Sequence, residues 1–96
     1  MTPAMRRRHM GRIAAMPCVL CELLGIEQTT RTTVHHIREG QGMSQRANDY
    51  LTIPLCEDCH QNNRGSIHGD RSLLRIAKTT ELDLLAETIA RLTHEH

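Results

Sequence analysis

Two Cys-x-x-Cys pairs constrain this chain more than any other feature. Cys18 with Cys21 and Cys56 with Cys59 account for every cysteine in the 96 residues. A Cys-x-x-Cys turn offers two thiolates from one chain reversal, and two such turns complete the soft tetrahedral shell that zinc prefers. The chain has need of such a staple. Trp and Phe are absent and Tyr50 is the only aromatic residue, so the core must come from Leu, Ile, Val and Met. Aromatic rings bury the most area per residue, and a small domain without them leans on a bound metal. A structural zinc on all four cysteines is therefore expected. A redox role for one pair is the alternative, but it calls for a βαβ setting that the pattern does not offer. A closed four-thiolate shell leaves no open position, so this metal is not expected to be the reactive one.

The length allows one domain, and 34 residues separate Cys21 from Cys56, enough for an inserted hairpin. Residues 1–16 read as a basic arm or helix ending before Pro17, and residues 17–96 as the domain. Pro17 to Cys21 reads as a tight knuckle, and residues 22–30 as a loop or short turn. The β-branched Arg31-Thr32-Thr33-Val34-His35 predicts a strand. Residues 38–48 read as a loop, and Tyr50 to Ile53 as a second strand that Pro54 ends or marks as an edge. A short helix is expected from Glu57 to about Asn63, broken by Gly65 and followed by a loop at Ile67-His68-Gly69. The C-terminal part is helical, with Asp70 or Ser72 as one cap and Thr80, three residues before Asp83, as another. Leu82, Leu85, Ile89 and Leu92 recur at helical spacing and predict a buried stripe. The fold class is α+β, a ββα unit with C-terminal helices.

No apolar run has the length of a membrane span or of a signal-peptide core, which favours metal over disulfides and an intracellular, cytoplasmic setting. Net charge is close to zero, but its distribution is uneven. Arg6, Arg7, Arg8 and Arg12 lie in the first twelve residues with no acid among them, and arginines outnumber lysines eleven to one. The guanidinium is the better fork for phosphate. An N-terminal Arg run reads either as a solvated terminus or as a phosphate-contacting arm.

Histidine is the second concentration of chemistry. His9, His94 and His96 lie in terminal segments and read as ordinary side chains without partners. His35, His36, His60 and His68 all fall beside the cysteine knot. Neighbours on a strand point to opposite faces, so a bulge or twist at the strand end is expected to bring His35 and His36 into one cleft.

Val34-His35-His36-Ile37, followed by Leu55-Cys56-Glu57-Asp58-Cys59-His60, resembles the HNH (ββα-metal) endonuclease motif. The stretch from His36 to Arg46, with Ile67-His68-Gly69-Asp70-Arg71, resembles more closely the Ref-like, RecA-dependent nucleases of phages and prophages. The similarity runs from about Pro17 to Leu92. It implies that His36 is the general base that deprotonates water. It further implies that His35, His60 and His68 hold a catalytic divalent cation (Mg2+, Mn2+ or Zn2+), and that DNA and a RecA filament are the partners. The middle Asn of the HNH pattern has no clean match. Leu51 holds roughly its place, and Asn48 or Asp49, slightly earlier, is able to orient the base. On this reading Arg6, Arg7, Arg8, Arg38, Arg46, Arg64 and Arg71 are candidates for the DNA backbone. A single aromatic residue provides no base-stacking platform, so little sequence specificity and strong salt dependence are expected. The competing reading is a non-catalytic zinc module that binds nucleic acid or protein, for which the four cysteines alone suffice.

Overall fold

A computed structural model of the chain describes residues 2–38, 48–62 and 65–94. Helix α1 spans Pro3–Ala14, with Thr2 as its cap accepting from the Met5 amide at 3.1 Å and Pro3 at the position where a missing N–H costs nothing. Helix α2 spans Val19–Leu24 and ends on Gly25, whose φ of 71° supplies the left-handed residue that closes it. Strands β1 (Thr32–His36) and β2 (Thr52–Cys56) form a two-stranded antiparallel sheet with Thr32 opposite Cys56 and His36 opposite Thr52. A wide π-type turn at Asp58–Asn62 follows, then α3 (Ser72–Ile76) and α4 (Glu81–Thr93).

The sequence-based outline holds for an antiparallel strand pair and for the C-terminal helices, and differs in four places. The chain after Pro17 is helical through Leu24, because Cys18 caps α2 with its sulfur, 3.4 Å from the Cys21 amide. Strand β2 runs on through Pro54 to Cys56 where the pattern predicts Tyr50 to Ile53, and Pro54, opposite Val34, marks an edge strand, the alternative reading. A two-stranded sheet has only edge strands, so the missing N–H faces no second neighbour. The cap of α3 is Arg71 in left-handed conformation, while Asp70 accepts from the Ser72 amide at 3.0 Å. The buried face of α4 is Glu81, Leu84, Leu85 and Thr88, whereas Leu82 and Ile89 are about half exposed. The helix is turned to bury two polar residues that have partners. Glu81 meets the sheet's histidine, and the Thr88 hydroxyl donates to the Leu84 carbonyl at 2.8 Å.

One core holds the elements together. Val19, Leu20, Ile37, Ile53, Leu55, Ile67, Leu74, Leu84 and Leu85 pack with the four cysteines. All five residues of β2 are buried, since α1, α2 and α4 all lie against this strand. Each such aliphatic side chain contributes about 1.5–3 kcal/mol on burial, and there are few of them, so the thiols sit where a larger domain would place more hydrocarbon. No helix among the described residues is long and apolar enough to cross a membrane.

Candidate active site and metal centres

The four cysteine sulfurs converge. All lie within 4.8 Å of one another, with Cys21 Sγ at 3.6 Å from Cys56 Sγ and 3.7 Å from Cys59 Sγ. A disulfide needs about 2.05 Å, so these are free thiols. A tetrahedral ion with bonds of about 2.3 Å would hold its sulfurs roughly 3.8 Å apart, and the cluster fits that size. The thiols perturb one another strongly. Hydrogen bonding from Cys59 is the main cause that pulls Cys18 down to about 5, while burial and the Cys18 charge push Cys21 up to about 12. Its hydrogen bond to Cys18, then burial and the other sulfurs, raise Cys59 as well. Four buried sulfurs this close are compatible with a structural metal ion among them. Gln28 secures the knot from outside. Its side-chain oxygen accepts from the Cys18 amide at 2.7 Å, and its amide donates to Thr30 and Thr32.

His35, His60 and His68 form the second group, again with one ligand atom each within 4.8 Å of the others. His35 and His60 are buried and His68 is exposed. His35 comes from β1 and His60 from the π-turn. His68 is drawn in by the backbone, because Ile67 donates to the Cys59 carbonyl at 2.8 Å and His68 to the His60 carbonyl at 3.0 Å. Cys59 and His60 are neighbours, so one short turn feeds both clusters.

The hydrogen bonds around the two buried rings decide their tautomers. The Thr33 hydroxyl donates to the Leu55 carbonyl at 2.7 Å, so it accepts from His60 Nδ1–H at 2.9 Å. His35 Nε2–H donates to Glu81 at 2.5 Å. The remaining nitrogens, His35 Nδ1 and His60 Nε2, face each other at 3.0 Å; with both rings neutral neither carries a proton, whereas a His35 protonated against Glu81 donates to His60. Two bare lone pairs at that distance suit a shared cation, since nitrogens on one tetrahedral zinc sit about 3.3 Å apart for bonds of about 2.0–2.1 Å. Burial, with the His35 and His68 charges, lowers His60 to about 4 and keeps it in its ligand form. His68, though exposed, is lowered too, by partial desolvation and then by the charges of His35, Arg38 and Arg71, with Glu81 opposing.

Glu81, fully buried at the start of α4, was not among the site residues read from the sequence. An acid after a capping Thr reads only as a complement to the helix dipole, and nothing in the chain pointed it at His35. Burial raises its carboxyl, but bonds from His35, the Arg38 amide and Arg71 overcome this and bring it to about 2. Arg71 reaches it at 3.2 Å.

His36 is outside the three-histidine group. Strand pairing runs to His36 opposite Thr52 without a bulge, so the expected bulge is absent and His36 turns away from His35 toward Asp49. Its Nε2 lies 2.8 Å from Asp49 Oδ1, and the ring is partly exposed. Of the three candidates for the missing Asn, Asp49 meets the histidine. Asn48 instead accepts from the Tyr50 amide at 2.9 Å, and the Leu51 carbonyl receives the Ile37 amide.

The arginines divide. Arg6 pairs with Asp49 at 3.7 Å, Arg7 and Arg8 are exposed on α1, and Arg38 is exposed beyond β1. Arg46 and Arg64 lie outside the described residues. Against the expectation of an unpartnered side chain, His9 stacks on Tyr50 with ring centres 4.6 Å apart.

The family model described as recombination enhancement, RecA-dependent nuclease, matches residues 2–90. No curated protein and no solved structure gives a significant match.

Proposed function

This chain belongs to the family of RecA-dependent nucleases of recombination enhancement, and from that premise we propose that it is a metal-dependent, HNH-type endonuclease that hydrolyses DNA phosphodiesters. The observation that carries the metal-dependent reading is the facing pair of bare nitrogens on His35 and His60, with His68 beside them and His36 one residue away.

On this reading the cysteine cluster holds a structural zinc and His35, His60 and His68 hold the catalytic divalent ion. That ion supplies a Lewis acid for the scissile phosphate and the departing oxygen. His36 is the general base. Its Nε2–H is engaged by Asp49, which leaves Nδ1 to take the proton of the attacking water, and neutral imidazole is suited to this near pH 7. Asp49 fixes the ring and compensates the charge that develops on it. Arg38 and Arg71, whose charges bear on His68, neutralise the phosphate, and Arg6, Arg7 and Arg8 on α1 contact the backbone further along. The RecA filament is the partner that presents the DNA.

The test is cleavage of supercoiled plasmid with magnesium, manganese and RecA filaments each supplied, beside His36→Ala. The wild type is expected to cut and the variant, still folded, to be inactive. An intact plasmid under every condition overturns the nuclease reading and favours a zinc module that only binds.

A further inference from the structure

We propose that Thr33 and Glu81 are positioning residues that fix which nitrogen of His60 and of His35 is presented to the divalent ion. The inference rests on the metal reading above and adds to it the means by which the site is kept ready.

An unconstrained imidazole presents either nitrogen, and a ring in the wrong tautomer turns an N–H toward a cation. The structure removes this choice at both buried rings. Thr33 and His35 lie two residues apart on β1 and so share one face of the sheet. The strand therefore carries one ligand and the lock for another. The Thr33 hydroxyl is itself locked, because the Leu55 carbonyl opposite it in the register takes its only hydrogen. What remains is an acceptor aimed at His60 Nδ1. Glu81 acts on His35 from the other side. Its Oε2 holds Nε2–H, and its Oε1 receives the Arg38 amide and the Arg71 guanidinium, both at 3.2 Å. A fully buried carboxylate with these donors stays in place, and the ring it holds is only 2% exposed. A carboxylate or oxygen acceptor behind a metal-bound histidine orients the ring and raises its basicity.

The experiment is calorimetric titration of zinc into the full chain that already carries one zinc in its cysteine cluster. It is joined by long-range proton–nitrogen correlation spectra of the histidine rings. The wild type is expected to bind a second zinc with His60 protonated at Nδ1 and His35 at Nε2. Thr33→Val keeps size and strand propensity but loses the hydroxyl. It is expected to weaken the second zinc by roughly 10–100-fold and to let His60 populate the other tautomer. Thr33→Ser restores both readings. Glu81→Gln is expected to weaken the second zinc similarly, and because a buried substitution can unfold the chain, Thr33→Val decides if it does. A Thr33→Val protein that binds the second zinc as tightly as the wild type, with unchanged ring spectra, overturns the proposal alone. A wild-type protein that takes up no second zinc overturns the metal reading beneath it.

Discussion

At the scale of single residues, two histidines adjacent in sequence have separate surroundings. His35 is buried and tied to Glu81, while His36 is partly open and tied to Asp49. The pattern of the chain located both and fell short on their supports. Asp49 was one of three candidates, because distance along a loop does not say which side chain turns inward. Glu81 was invisible, since 46 residues separate it from the ring it holds. If Asp49 orients the base, Asp49→Ala should lose much of the roughly 10²–10⁴-fold that a general base contributes, with zinc binding unchanged. Plasmid cleavage rates beside metal titration check this. A pH effect follows from His60. Its folded value of about 4 lies below the ordinary 6.5, so the unfolded chain takes up a proton here at a higher pH than the folded protein. The contribution is fully present above 6.5 and is lost as pH falls from there toward 4. Glu81, at about 2 against 4.5, adds stability present above 4.5 that is lost as pH falls toward 2. Urea unfolding between about pH 7.5 and about pH 5.5 should show the wild type losing stability relative to His60→Gln, which has no titrating ring at this position.

Among the elements, those marked by local chemistry were legible. The β-branched run gave β1, and Thr80 marked the start of α4, where its hydroxyl accepts from the Asp83 amide at 3.1 Å. The elements that the cysteines shape were harder to foresee. Helix α2 begins on a sulfur cap, and β2 continues through Pro54 because its other partners are helices rather than a third strand. The stripe on α4 was misplaced by one position, since apolar periodicity assigns Leu82 inward and cannot see that Glu81 and Thr88 have buried partners. The cap of α4 also sets where Glu81 begins. Thr80→Ala is expected to destabilise the protein by about 1 kcal/mol, read as a lower urea midpoint with an unchanged slope.

For the molecule as a whole, the outline of a small α+β chain built round four cysteines was readable because those cysteines stand in place of missing aromatic bulk. The return of His68 toward His60 was anticipated from the break at Gly65 and from the family resemblance, but the two backbone hydrogen bonds that set it were not readable from spacing. If a metal closes the thiolate cluster, a strong chelator at neutral pH should abolish the cooperative unfolding transition, and zinc should restore it. Far-UV circular dichroism with thermal melts checks this. The π-type turn has a consequence for how such a chain can diverge. A π turn is an α turn with one residue too many, closed over five residues instead of four. Deleting that residue would give an ordinary helix and swing the downstream side chain round by about 100°. Cys59 could then still meet its sulfurs while His60 would face elsewhere. A chain shortened by one residue within Asp58–Asn62 is therefore expected to keep the sulfur cluster and to lose the three-histidine one.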